Sequence, residues 1–294
     1  MQVAPITQQT APLSRAIAES VVALDRGAVP QDVWQYLKLC LADAVGIAFA
    51  SRHYEFSRKS LDSLGVLGSA GSSTIIGQPE PVALRDAALM NGLLIHGLDY
   101  DDTHLASVIH CSASAFPAAL ALAEQRKLTG EELLLATLIA RSRCAIGHTG
   151  GGVFQQVGFH PTGVVGIFGA TVAATRLMGG DVDALLRAQG VALSLCSGSM
   201  AFLDDGSWTK RLHPAGQPLR HFRLQLWACQ DSRGPGKLMA VASGSTPFTL
   251  PARRWRQKSC PRSCFKSGVA HGCHQALSHL SLQSCAGRCG VGIA

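Results

Sequence analysis

Long apolar runs are missing from this sequence: no stretch of its 294 residues reaches the roughly eighteen that a membrane helix needs. A basic-then-apolar leader is missing too. The expectation is a soluble intracellular protein, cytoplasmic, with mitochondrial import as the variant suggested by the Ser/Thr/Gln-rich opening from Gln2 to Ser14. Charge is thin, 15% of residues against 47% hydrophobic, which leaves ample material for a core. Acidic residues almost vanish near the end. Residues 1–213 hold 15 Lys and Arg and 18 Asp and Glu, net −3, whereas residues 214–294 hold 11 and 1, net +10. The basic total of +7 is therefore a property of the tail, and neither nucleic acid nor a membrane is expected as partner. Four of the ten cysteines (Cys40, Cys111, Cys144, Cys196) are scattered through the first 213 residues, as buried thiols of a reducing compartment are, and six crowd into the rest.

Strand signals are also scarce, and the patterning points to helix after helix. Ser14–Asp25 is amphipathic and stops at Gly27; Pro30 opens a second helix to about Ala50, with Val33, Trp34, Leu37, Leu41 and Val45 on one face. Residues 68–73 read as a flexible loop, Thr74–Ile76 as a short extended piece, and Val82–Ile95 as a third helix. Ser112–Arg126 is rich in Ala and Leu, and Thr129 with Glu132 forms a capping box that opens the next helix. Residues 147–152, mostly glycine, lack the Lys-Ser/Thr of a phosphate loop and follow no strand, which excludes that mode of nucleotide binding. In Val164–Leu177 the small residues Gly166, Gly169, Ala170, Ala173 and Ala174 suit close helix packing, and Asp181 caps Val182–Ser194.

Against this helical background two polar stretches stand out. His96–His110 packs three carboxylates and three imidazoles into fifteen positions, too costly in desolvation to serve packing alone. If the preceding helix extends to Leu98, then Asp99, Asp102 and Thr103 share a face, with His110 returning after a loop. A polar helix end is the plainer reading. A metal site is a third, disfavoured because no second strong ligand pair follows at fixed spacing. Gly206–Pro214 brings Lys210, Arg211 and His213 together beside Trp208, either as a basic loop or as the cationic half of a site for a polycarboxylate.

Four segments decide between these readings. Asp43-Ala-Val-Gly46, His96–His110, Gly158-Phe-His-Pro-Thr-Gly163 and Gly206–Pro214 occur in the order and at the separations of the MmgE/PrpD family, which this chain resembles from about Ser14 to Pro214. The resemblance implies an all-α domain, with a smaller α+β lid that here is missing or scrambled. It also implies a metal-independent lyase, a homodimer without cofactor, acting on a small tricarboxylate by 2-methylcitrate dehydration or, second, cis-aconitate decarboxylation. Asp99, Thr103, His110, His160 and Lys210 fall on the family's catalytic positions. Charge type adds His160, Lys210, Arg211 and His213 as substrate-binding residues.

Beyond Pro214 the family text is replaced. Back-translated and read from one base earlier, Met239–Pro247 gives Tyr-Gly-Arg-Arg-Phe-Gly-Leu-Tyr-Ala, and Ala215-Gly-Gln gives Gly-Trp-Ala, both family-like. The expected division is therefore 1–214, a partial helical domain, and 215–294, an out-of-frame, disordered basic tail. The chain would then be truncated and weak or inactive as it stands. Alternatives are a non-catalytic helical protein that dimerises with an intact paralogue and a metal-dependent enzyme. A zinc module built from Cys260, Cys264, His271, Cys273 and His274 fails because those residues offer no clear tetrahedral set.

Overall fold

The computed structural model describes residues 13–143, 147 and 153–216. Its long elements are helices: α1 (Leu13–Ala23), α2 (Gln31–Ser51), α3 (Glu55–Leu67), α4 (Leu84–Ile95), α5 (Cys111–Arg126) and α6 (Gly130–Ser142). These are followed by the short α7 (Val153–Gln156), α8 (Pro161–Leu177), α9 (Val182–Leu195) and the short α10 (Phe202–Asp205), with residues 209–216 again helical. Extended structure is limited to β1 (Ala70–Ser73) and a minimal antiparallel pair, β2 (Thr103–His104) with β3 (Ile109–His110). The all-α expectation holds at this level. Residues 217–294 and most of the glycine-rich segment 147–152 lie outside the described residues, and with them all of the expected tail except Ala215 and Gly216, which end a helix and of which Ala215 is buried in the core.

Helix boundaries follow local chemistry. Pro30 sits at the N-cap of α2, whose Val33, Leu37, Cys40, Ala44, Ile47 and Ala48 face the core. By length and composition α2 is also long and apolar enough to cross a membrane, although it carries Asp32, Lys38 and Asp43. Thr129 and Glu132 form the expected reciprocal capping box on α6, and the Asp181 side chain accepts from the Ala184 backbone N–H at the start of α9. Two expectations are corrected. Residues 70–73 are not a loop but a strand bridged to Val82, and the extended piece expected at Thr74–Ile76 forms no strand, its Ile75 and Ile76 instead being buried in the core. The helix α3 was not anticipated, because its few apolar residues are interrupted by Ser, Lys, Arg and Asp and only Phe56 and Ser57 are buried.

The centre is built from α5 and α8. Small residues let them approach: Ala115, Ala118, Ala119, Ala121 and Leu122 of α5, Ala136 and Ala140 of α6, and Ala170, Ala173, Ala174 and Leu177 of α8 make one buried cluster. A second cluster joins α2, α4 and α5 through Ala44, Ala48, Met90, Leu93, Leu94, Ala113 and Phe116, and a third joins α1, α2, α6, α8 and α9. Two glycines enforce the closeness, since a Cβ at Gly166 would lie 2.6 Å from Ser114 Oγ and one at Gly169 would lie 2.6 Å from the Ala140 carbonyl oxygen. The stripe of small residues expected in Val164–Leu177 is thus the seam of the fold.

A sharp contrast between two helical glycines tests this. Gly169→Ala must push backbone apart and is expected to lower stability by about 1–3 kcal/mol. Gly46→Ala on α2 meets nothing within 4 Å and should be neutral or gain up to about 1 kcal/mol. Urea unfolding followed by circular dichroism reads both, and equal effects would refute the seam.

Candidate active site

The polar stretch after α4 is not a helix face. The helix stops at Ile95, His96 caps it, and Asp99 adopts a left-handed backbone (φ 61°) that a short polar side chain tolerates better than most. The chain then turns through Asp101 and Asp102 into the β2–β3 hairpin, where Thr103 pairs with His110. The expected shared face of Asp99, Asp102 and Thr103 is therefore replaced by a hairpin that bends back on itself, while the return of His110 after a loop is as expected.

The centre of the hairpin is Asp101, whose side chain is fully buried. Its Oδ1 lies 3.1 Å from His96 Nδ1 and 3.1 Å from His110 Nδ1. Burial alone would push this carboxyl up, but hydrogen bonds and charge from His110 and His96 hold it down at about 2. The imidazole of His110 responds in the opposite sense: burial favours its neutral form, yet the Asp101 hydrogen bond and charge, with Asp99 behind them, outweigh burial and raise its pKa. On its other side His110 Nε2 faces Asp99 Oδ1 at 3.4 Å. Thr103 Oγ1 lies 3.3 Å from His110 Nδ1, and Thr162 Oγ1 accepts from the His110 backbone N–H at 3.1 Å.

Two central helices begin here. His110 occupies the N-cap position of α5, and His160 that of α8, followed by Pro161 at its first turn. The dipoles of both helices favour anions between them, while the first N–H groups of α5 are already taken, by Asp102 and Thr162. His160 stacks on His96 with ring centroids 5.8 Å apart, and its Nδ1 is 3.1 Å from Nδ1 of His213. Burial, then the nearby His96, His213 and Lys210, depress the His160 pKa to about 2, so it is a neutral hydrogen-bonding ring rather than a cation. His213 is lowered as well, by burial and by His96.

Within the Gly206–Pro214 stretch, weighed as a basic loop or as the cationic half of a site, residues 209 onwards form a helix that carries Lys210. Lys210 Nζ donates to Asp99 Oδ2 at 2.5 Å. For Asp99, burial raises the pKa, but the Lys210 hydrogen bond and charge win and lower it. The structure thus gathers Asp99, Thr103, His110, His160, Lys210 and His213. Arg211 is committed elsewhere: its Nε donates to the Gly97 carbonyl at 2.7 Å and its guanidinium lies over the Phe56 ring.

Sequence reasoning passed over His96, Asp101 and Arg141 as supports, and put Asp102 either on a helix face or at a cap, of which the cap is found. Asp101 and His96 carry the buried network just described. Asp102 caps α5 from a distance, its carbonyl accepting from Cys111 N–H at 3.2 Å and its Oδ1 from Ser112 N–H at 3.1 Å. It is held in turn by Arg141 of α6, whose guanidinium also donates to Ser112 Oγ and Tyr36 OH. The lone arginine in an otherwise apolar α6 run was the available signal for Arg141. Taken singly, His96, Asp99, Asp101 and His110 each place one donor atom within 4.8 Å of the others, a grouping that a divalent ion could use.

Because His160 stays neutral in the folded chain while an unfolded His takes up a proton near its usual value of 6.5, the unfolded state binds more protons below that pH. Stability should be full above about pH 6.5 and fall as the pH drops towards 2. His160→Gln removes this term, so its melting temperature should decline less between pH 7 and 5 than that of the wild type. Parallel declines would contradict the neutral, buried ring.

With the geometry in place, comparisons give it a family. The profile of the MmgE/PrpD N-terminal domain matches residues 15–258, which carries the match past Pro214, where the motifs placed its edge. Human cis-aconitate decarboxylase is 30% identical over 244 residues, 80% of this chain and 50% of that protein. The mouse cis-aconitate decarboxylase is 27% identical over 224 residues, covering 72% and 44%. The cis-aconitate decarboxylase-like protein oryM of Aspergillus oryzae is 26% identical over 196 residues, covering 63% and 40%. The chain spans half or less of the length of these relatives. With the matched profile covering most of its sequence, the chain belongs to the MmgE/PrpD family, whose N-terminal domain its described helices represent.

Proposed function

We propose that this chain carries the helical part of a lyase site for a small tricarboxylate, in which the protein's own side chains do the proton transfer without a metal. The observation that carries this reading is the convergence of two helix N-termini and Lys210 on an array in which the His110 ring faces the Asp99 and Asp101 carboxylates at ion-pair distance. Carboxylates suit the helix ends and Lys210. A proton donor and acceptor suits His110, whose raised pKa keeps a protonated fraction available near neutrality. The names of the relatives favour decarboxylation over the dehydration expected first from the motifs.

In that reaction a carbon–carboxylate bond breaks and carbon dioxide leaves. Its electron pair stays on the substrate carbon, spread over the adjoining unsaturated carboxylate, and a proton from His110 quenches it. Asp101 holds the imidazolium and fixes its ring, Asp99 takes or supplies the proton on the Nε2 side, and Thr103 orients the same ring. His160 binds carboxylate as a neutral donor. Lys210 exchanges Asp99 for a substrate carboxylate.

A second reading is favoured by the exposed apolar residues that rim the site, Tyr100, Leu105, Leu203 and Trp208. In this reading the chain is a non-catalytic partner that dimerises with an intact paralogue, which supplies what covers the rim. The out-of-frame origin of residues 215–294 is a further proposal, supported by the two back-translated motifs and opposed by the family match to residue 258. Limited proteolysis tests the origin of the tail: rapid trimming near His213 supports an out-of-frame tail, and a resistant fragment containing residues 215–294 defeats it.

Catalysis is tested by incubating the purified chain with cis-aconitate and following substrate loss, with a chelator expected to cause no loss of rate. His110→Gln should lower kcat by about 10²–10⁴-fold, and Lys210→Ala should raise KM more than it lowers kcat. Undiminished turnover in Lys210→Ala and His160→Ala would sink the site assignment. No turnover by wild type, together with copurification of a longer paralogue, would establish the second reading instead.

A further inference from the structure

The hairpin offers more than proton transfer. Asp101 Oδ1 stands 3.1 Å from a nitrogen of each of two histidines, and those imidazoles meet edge to face with centroids 4.7 Å apart. Four ligands around a tetrahedral zinc ion, each at about 2.0–2.1 Å, are separated from one another by roughly 3.3 Å. The two His–Asp spacings already match this within a few tenths of an ångström, and the Asp99 donor lies within 4.8 Å of the other three.

A second observation concerns how His96 is used. Its side chain is completely buried, and among the described residues only Nδ1 is hydrogen-bonded while Nε2 has no partner. An ion that takes His96 Nδ1 therefore displaces a single partner of that ring, the Asp101 carboxylate. Access exists from the other side, because Asp99 is half-exposed and its companion Lys210 is a flexible, partly exposed side chain that can swing away.

We infer that His96, Asp99, Asp101 and His110 form a reversible inhibitory site for a zinc-like transition-metal ion, which turns the proposed acid–base centre off by occupying the nitrogen of His110. Two carboxylates and two neutral imidazoles neutralise a divalent charge. Lys210 and the N-terminus of α5 oppose any cation, and this sharpens selectivity. Zn²⁺, Co²⁺ and Ni²⁺ gain strongly from imidazole nitrogen and bind, whereas Mg²⁺ and Ca²⁺, which seek oxygen alone, do not. The inhibition rests on the catalytic reading above. The binding does not.

The test uses the full chain titrated with Co²⁺ in the absence of substrate, read by visible absorption and by calorimetry, with Zn²⁺ as competitor. Wild type should take up one equivalent with the spectrum of nitrogen and oxygen ligands, displaced by Zn²⁺ and unaffected by excess Mg²⁺. Asp101→Asn and His110→Gln should each weaken uptake at least tenfold, and His213→Gln should leave it unchanged. Circular dichroism checks that each variant is folded; if Asp101→Asn is not, His110→Gln, at a partly exposed helix cap, decides. The ten cysteines are the competing location. Thiolate charge-transfer bands alone, or equal uptake by wild type and His110→Gln, would overturn the proposal, as would no uptake at all. Where the chain turns over cis-aconitate, Zn²⁺ at the binding concentration should suppress the rate and a chelator restore it. Binding without suppression would refute the inhibitory role while leaving the site.

Discussion

A carboxylate with no access to water, wedged between two imidazoles, sets the local architecture. Removing the Asp101 charge from solvent is costly, and the cost is offset only if both ring nitrogens stay within hydrogen-bonding reach. That requirement ties the last residue of α4's cap, His96, to the residue before α5, His110. The fourteen-residue step between them cannot wander. Asp99 and Thr103 inherit their positions from this closure, because each is attached within two residues of Asp101.

The second determinant is the thinness of the α5–α8 seam. With Gly166 against Ser114 of α5, and Gly169 against Ala140 of the neighbouring α6, α8 lies close enough to α5 for their N-termini to share one polar space. Helix packing and site chemistry are therefore one problem. The small residues place His110 and His160 side by side, and the Asp102–Arg141 pair fixes the start of α5 from behind. A bulkier seam would separate the rings before it unfolded the domain.

What could be seen in the sequence was what is local. Capping boxes, the Pro30 start, the small-residue stripe and the boundaries of α5, α6, α8 and α9 depend on neighbours a few residues apart, and all were legible. The hairpin was not. The end of α4 at Ile95 was legible, but a local pattern leaves open whether the helix runs on to Leu98, because nothing in it reveals that His96 and His110 compete for one buried oxygen. Asp101 was missed for the same reason: as one of three acids in a run it had no individual mark, and its role depends on partners brought in by folding. Lys210 and His160 were found, but through motif resemblance rather than through any physical signal linking residues fifty positions apart.

The environment on the open side of the site limits what its electrostatics can achieve. Asp101 and His96 are dry, but Asp99 is half-exposed and Tyr100 and Leu105 project into solvent beside it. Facing water, the Lys210–Asp99 pair is screened, and its attraction is only a fraction of what the same geometry would supply in a closed site. Charge developing on a substrate would be stabilised by bulk solvent as much as by the protein. The buried half of the array, Asp101 with its two histidines, is held by its own contacts and is independent of closure. The exposed half, Asp99 with Lys210, becomes selective for a carboxylate only when apolar surface covers it. The projecting side chains around the rim are of the kind that such a cover would bury.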